Sequence, residues 1–157
     1  MQENLTKRAQ EIIEKIIYIT IASVTPEGKP WNSPVYSAYD KDNYTFYWVS
    51  PRETQHSKNI SENPNVFLVI YDSTVPESTG EGVYIQGHAS VVTDPKEMTR
   101  AIYLLYTRKK KSLRDVSRFL DLRPRRIYKV VPEKVWLNST ERIDDEGIDM
   151  RIEVELQ

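Results

Sequence analysis

Apolar positions along this chain change period several times, and each change marks an element. Leu5, Ala9, Ile12, Ile13, Ile16 and Ile17 recur at helical spacing with Lys7, Arg8, Glu11, Glu14 and Lys15 between them. That pattern predicts an amphipathic opening helix over residues 1–16. Residues 18–24, Tyr-Ile-Thr-Ile-Ala-Ser-Val, alternate small or polar with large apolar side chains and predict a first strand. Pro26 and Gly28 supply a turn, residues 30–39 a second strand, and Asp40-Lys41-Asp42-Asn43 a further turn. The aromatic, β-branched run Tyr44–Val49 is then a third strand. Three consecutive strands with tight turns predict a meander.

After Val49 the pattern breaks abruptly. Ser50-Pro51-Arg52-Glu53 has the form of a capping box with proline at the first helical position. A helix is expected from there to Glu62-Asn63-Pro64, since proline disfavours helical backbone in the residue before it. Its free N–H groups and positive dipole end would sit at the end of the third strand, where anions and phosphates are attracted. Arg52, Ser57 and Lys58 fall in its first turns and could converge on one phosphate. The plainer alternative is that Ser50 only caps the helix and Lys58 is solvated.

Residues 66–71, Val-Phe-Leu-Val-Ile-Tyr, are apolar on both faces, as in a strand buried centrally in a sheet. Residues 72–82, rich in Ser, Thr, Pro and Gly, form a loop long enough to cover a site. A strand follows over residues 83–92, and Gly87 within it suggests a bulge or a close approach. Asp94-Pro95-Lys96-Glu97 repeats the capping logic and opens a helix with Met98, Ile102, Leu105 and Tyr106 on its apolar face. Residues 109–120 form a basic helical segment. Residues 126–131 and 134–138 are two strands separated at Pro132, and residues 150–156 are an edge strand or an arm laid on a partner. Six or seven strands with short turns and three or four inserted helices fit a mainly β chain, an antiparallel barrel flanked by helices.

At 157 residues the chain fits one domain, with a polar, acidic tail over residues 139–157. There is no cysteine, so disulfides and thiolate metal sites are excluded. With 22 basic and 23 acidic residues the formal net charge is −1, which gives no drive towards nucleic acid. No apolar run approaches the ~20 residues that span a bilayer, so no membrane association is expected and a cytoplasmic location is. The charge is unevenly placed: residues 100–129 hold eleven Lys/Arg and two Asp/Glu, and residues 133–157 eight Asp/Glu and three Lys/Arg. An acidic tail that neutralises the basic segment explains this better than a polyanion site, because few aromatics interleave the run Arg108–Lys111.

Two histidines, His56 and His88, stand without paired spacing, so a metal site is not expected. No nucleophile elbow, P-loop or dinucleotide fingerprint is present. The aromatic density at Tyr36, Tyr39, Tyr44, Phe46, Tyr47 and Trp48 reads first as core and subunit interface, and second as a surface for a planar cofactor.

Taken in order, several pieces resemble the pyridoxamine-phosphate-oxidase-like family of flavin-binding split barrels. They are Gly28-Lys29-Pro30-Trp31-Asn32-Ser33-Pro34-Val35-Tyr36, Tyr47-Trp48-Val49-Ser50 with His56-Ser57-Lys58-Asn59-Ile60, Val83-Tyr84-Ile85-Gln86-Gly87-His88-Ala89, and Tyr128–Trp136. The resemblance spans about Ile16 to Leu137. It implies a six- to seven-stranded antiparallel split β-barrel, a homodimer with FMN at the interface, and oxidoreductase chemistry on a small-molecule substrate or with NAD(P)H. Carried over by position, Ser33, Pro34 and Val35 would line the flavin ring, Val49 and Ser50 the ring edge or ribityl chain, and Ser57 and Lys58 the phosphate. Trp48 and His56 belong to the same implied cofactor-binding set. No catalytic residue is assigned, although Tyr36 and His56 are candidates for proton transfer. Pyridoxamine phosphate oxidases proper carry arginines where Ser33 and Ser57 stand, a lysine near Ala38, and a terminal Arg-x-His segment. This chain has none of them, so the implied substrate is not pyridoxamine phosphate. The alternative is a non-catalytic carrier or sensor of flavin, deazaflavin (coenzyme F420) or haem.

Overall fold

The computed structural model of the chain describes residues 2–110, 124–139, 142–143, 146–147 and 150–156. Its elements run α1 (Gln2–Lys15), β1 (Tyr18–Val24), β2 (Pro30–Tyr36), β3 (Ala38–Tyr39), β4 (Phe46–Pro51), α2 (Gln55–Glu62), β5 (Asn65–Tyr71), β6 (Gly82–Val91), α3 (Pro95–Arg108), β7 (Arg125–Ser139), β8 (Arg142–Ile143), β9 (Glu146–Gly147) and β10 (Met150–Glu153). The main sheet is antiparallel, in the order β2-β1-β5-β6-β7-β4-β3, with β10 added to the far half of β7. It is a curled, mainly β architecture with three helices among the described residues, as the alternation of strands and helices leads one to expect.

The expected meander does not form. β1 and β2 pair as a hairpin and β3 pairs with β4, but the two hairpins lie at opposite ends of the strand order. The predicted second strand is broken at Ser37, whose N–H donates to Ile17 O at 3.0 Å. That single residue carries the chain from one end of the sheet to the other and so curls it. Local alternation shows which residues form strands but not which strand each will pair with.

The two strands expected on either side of Pro132 are one strand. β7 runs through the proline because the β6–β7 register shifts there, with Pro132 opposite Gly87 and Lys134 opposite Gln86. The extra residue makes a bulge, the position in a sheet where proline's missing N–H is tolerated. Gly87 is required on the other side. A Cβ there would meet Val131 O at 2.5 Å.

The barrel interior is filled by Ile19, Ile21, Phe46, Trp48, Leu68, Ile70, Val83, Ile85 and Leu137, onto which α1 lays Leu5, Ala9 and Ile13. A second cluster lies under α3, where Met98, Ala101, Ile102 and Leu105 cover Tyr47, Val92 and Ile127. β5 is interior to the sheet, as expected, although its two faces differ: Val66, Leu68 and Ile70 are buried and Phe67 and Val69 half-buried. The loop over residues 72–82 is tied to α1, Asp72 to Lys15 at 2.7 Å and Glu81 to Arg8, and therefore does not cover the α2 side.

The tail contributes β10, an edge strand on its own chain, paired Met150 to Ser139 through Glu153 to Trp136. Val154 is buried, and Arg151 stacks its guanidinium 4.0 Å from the Tyr84 ring. Most of the expected basic helix over residues 109–120 lies outside the described residues. No helix among those described is long and apolar enough to cross a membrane.

Candidate functional site

β4 sorts its residues between two environments. Phe46 and Trp48 face the barrel interior with Tyr128 of β7, while Tyr47 and Val49 belong to the cluster beneath α3. Trp48 is fully buried and stacked on Tyr128, with ring centroids 5.5 Å apart. It is a core residue, and it is Tyr128 that reaches the neighbouring cleft.

The chain does not cap α2 at Ser50. β4 continues through Pro51 because β7 offers partners, Arg126 opposite Ser50 and Arg125 opposite Pro51, and Arg52 N donates to Pro124 O at 3.0 Å. The helix begins four residues later than Ser50 would start it, with Thr54 as N-cap in extended backbone and no side-chain cap on its first N–H groups. The Thr54 hydroxyl instead donates to Pro51 O at 3.0 Å and lies 2.8 Å from the Ser57 hydroxyl.

Ser50 serves His56. Its hydroxyl is 2.8 Å from His56 Nε2, and Thr54 Oγ1 is 3.2 Å from the same nitrogen. Burial disfavours the imidazolium and lowers the His56 pKa, so the ring is neutral at neutral pH. It joins the first turn of α2 to the end of β4. Asn59, fully buried, adds a second tie: its Nδ2 donates to Ser23 Oγ at 3.0 Å while its Oδ1 accepts from Gln55 at 2.8 Å. Ser23 in turn donates to Trp31 O at 3.3 Å, which fixes α2 against β1 and β2.

Between α2, the end of β6 and the start of β7 lies a cleft of about 540 Å³. Its charged lining among the described residues is Arg52, Lys58 and Arg126 with the carboxylate of Glu53, and the Ser57 and Ser61 hydroxyls lie beside them. Lys58 Nζ is 3.3 Å from Glu53. Among the described lining residues three cations stand beside one carboxylate, which makes this wall of the cleft basic, the character that a phosphate monoester of about −1.5 to −2 at neutral pH favours. The donor set therefore fits a phosphate group. It contains no residue suited to binding a soft metal, and no group of three or more potential metal ligands occurs among the described residues.

The residues singled out in sequence, apart from the core residue Trp48, thus fall into four places. Ser57 and Lys58 line the cleft with Arg52. Ser50 and His56 lie just inside it, as the brace described above. Ser33, Pro34 and Val35 are on β2, an edge strand against which α2 packs but which contributes no lining residue to the cleft. Val49 lies under α3 with Tyr36, whose hydroxyl is buried without a hydrogen-bond partner and whose pKa burial raises. Arg126 and Tyr128 escaped the sequence reading. They are some seventy residues from α2 in the chain, and only the β4–β7 register brings them to it; the one local signal was a charge opening an otherwise apolar strand.

His88 is on the outer face of β6, with Nδ1 2.8 Å from Glu133, the residue added by the β7 bulge.

The family model for pyridoxamine 5'-phosphate oxidase matches residues 5–139. No curated protein matches the chain in sequence. Among solved structures it is similar to HutZ, the heme storage protein of Vibrio cholerae, at 18% identity over 83% of this chain and 92% of that one, with a TM-score of 0.69. It is similar to a heme binding protein of Mycobacterium smegmatis at 16% identity over 85% of this chain and 53% of that one, with a TM-score of 0.68. A Listeria innocua protein proposed to be a pyridoxamine 5'-phosphate oxidase is 20% identical over 90% of this chain and 99% of that one, with a TM-score of 0.63. At these identities the structural likeness bears on the fold, and the family model, matched across most of the length, bears on descent. The chain belongs to the pyridoxamine 5'-phosphate oxidase family.

Proposed function

We propose that this protein is an FMN-binding flavoprotein oxidoreductase acting on a substrate other than pyridoxamine phosphate. The observation that carries the reading is the cleft beside α2, lined by Arg52, Lys58, Arg126 and serine hydroxyls next to a helix that starts without a side-chain cap. In it Ser57, Lys58 and Arg52 would hold the FMN phosphate. Ser50 and His56 would keep α2 at the end of β4, and the Ser33–Val35 edge would lie along the flavin ring. Bound FMN supplies two-electron redox chemistry, and the chain's part is to bind, orient and shield it.

The reading includes a homodimer with the cofactor at its interface. The outer face of the sheet supports it: by register Tyr18, Pro34, Phe67, Tyr84 and Trp136 share that face, with Phe67 stacked on Trp136 at 6.1 Å. Tyr18 is 57% exposed and Tyr71 53%. An aromatic face of this kind is what subunit interfaces are made of.

Reconstitution with FMN, followed by rapid mixing with NADH or NADPH, tests the proposal. Uptake of FMN and reduction faster than that of free flavin are expected; failure to take up FMN would sink the proposal.

A second reading, a haem carrier or sensor, is favoured by His88. An imidazole whose Nδ1 is held by a carboxylate presents Nε2 in the arrangement used by iron-ligating histidines. A haem absorption band lost in His88→Ala would favour this reading over the first.

A further inference from the structure

We propose that His56 is coupled to the occupant of the α2 cleft through a chain of hydroxyls, Ser57 to Thr54 to the ring, so that an anion bound at Ser57 favours the imidazolium and the imidazolium favours the anion. The proposal rests on the FMN reading for the identity of the anion but not for the existence of the chain. Ser57 is buried and lines the cleft. Its hydroxyl is 2.8 Å from Thr54 Oγ1, which lies 3.2 Å from His56 Nε2, and Ser50 Oγ is 2.8 Å from the same nitrogen. Two hydroxyls thus lead from the cleft to a buried imidazole.

Counting protons gives the chain its direction. Thr54 has one hydroxyl proton, and Pro51 O, 3.0 Å away, can only accept it. With that proton spent, Thr54 Oγ1 can only accept from its other neighbours, so Ser57 turns its own proton to Thr54 and away from the cleft. An oxyanion offers acceptors alone and needs that proton. When Ser57 turns to the anion, His56 Nε2 is the neighbour left to donate to Thr54 Oγ1, and the imidazolium does so more strongly than the neutral ring. The anion's charge acts in the same sense, and the burial that lowers the His56 pKa in the free protein leaves little water to screen it. The charged groups on this side are Arg52 and Glu53 ahead of α2, Lys58 on it and Arg126 on β7. β1, β2 and β6 carry no carboxylate, lysine or arginine, and His88 of β6 lies on the outer face with Glu133.

The test uses the full chain with two probes, FMN and inorganic sulfate, which stays a dianion throughout the range in which His56 titrates. The chain has two histidines, so His88→Gln leaves the ring NMR signals of His56 alone. Saturating sulfate is expected to move the His56 titration midpoint to higher pH. Reciprocally, sulfate should bind about fivefold more tightly below that midpoint than above it, a gain lost in His56→Gln. Thr54→Val, which lacks the hydroxyl, should remove most of the shift, and Thr54→Ser should keep it. A midpoint that ignores bound sulfate overturns the proposal even if FMN binds. An equal shift in T54V and wild type overturns it too, because the charge then acts through space. If neither sulfate nor FMN binds, the FMN reading fails by itself and Ser57→Ala decides, since it withdraws the Ser57 proton from Thr54 as an anion would. A higher His56 midpoint in S57A, abolished by adding T54V, sustains the chain, and an unchanged midpoint ends it. If T54V does not fold, the S57A midpoint alone decides.

Discussion

Helices α2 and α3 each follow a strand, and each is preceded by a run of the form polar, proline, basic, glutamate: Ser50-Pro51-Arg52-Glu53 and Asp94-Pro95-Lys96-Glu97. At α3 the run does what it spells. Asp94 accepts from Glu97 N at 2.7 Å, Pro95 opens the helix, and the helix spends its apolar face on the second core cluster. At α2 the same pattern is overridden, because β7 continues past the end of β6 and gives Ser50 and Pro51 ladder partners. The strand wins those residues, and the helix starts late and without a side-chain cap. The helix thus starts beside the cleft, to which it contributes Ser57 and Lys58 next to Arg52. A helix satisfied by its own residues is scaffold; a helix left short of a cap can recruit a ligand to complete it.

That contrast can be reversed by giving α2 the cap it lacks. Thr54→Asp places a carboxylate at the N-cap, three residues before Ser57 and beside the cleft proposed to take the phosphate. FMN affinity is expected to fall at least tenfold, by roughly 1.4 kcal/mol or more, while Tm holds or rises. Flavin titration and a melting curve on the same preparation read both quantities, and a T54D variant that keeps FMN affinity would break the assignment of α2 as the ligand-binding helix.

Removing the cap from α3 is the converse. Asp94→Ala should cost about 1 kcal/mol of stability in chemical denaturation and leave FMN binding untouched. Loss of binding in D94A would mean that the two helices are not separable in role.

Ser50→Ala is expected to cost about 1 kcal/mol through the lost hydrogen bond to His56, not through a lost cap. A double-mutant cycle distinguishes the two. S50A and His56→Gln should be strongly non-additive, whereas additivity would return Ser50 to an independent role.

The smallest effect is in pH. Burial holds the His56 pKa below its ordinary 6.5, so the unfolded chain binds the extra proton first. Stability is then full above pH 6.5 and declines as pH falls below it, towards the depressed folded value. The hydroxyls of Ser50 and Thr54 are the groups on its ring nitrogen. In H56Q this part of the decline should vanish, leaving the steeper acid loss that follows protonation of Asp40, whose carboxyl the Arg100 guanidinium holds below the usual range. A profile identical to wild type would show that His56 is not the titrating group.

Much of this was legible in the chain. α1, β1, β5, β6 and α3 follow from side-chain periodicity because each buries one face on a neighbour, and Gly87 announced its bulge. Pairing was not legible. Ser37 is the joint that separates two hairpins, and nothing at Ser37 distinguishes it from a residue inside a strand. That Arg52, Ser57 and Lys58 meet at the start of α2 was legible, although the Ser50 cap from which it was argued is overturned by the structure. Arg126 and Tyr128 were invisible because their place in the site depends on the β4–β7 register, a contact between segments far apart in the chain. Trp48 was counted with the cofactor because aromatics suit both cores and flavins; only burial tells the two uses apart.

The central claim is that the cleft beside α2 was built for the phosphate of a flavin. The most direct test is the visible absorbance spectrum of the purified protein, before and after adding FMN, with mass spectrometry of what heat releases. Flavin bands and the mass of FMN are the predicted result. A colourless protein whose addition leaves FMN absorbance and fluorescence unchanged would contradict it.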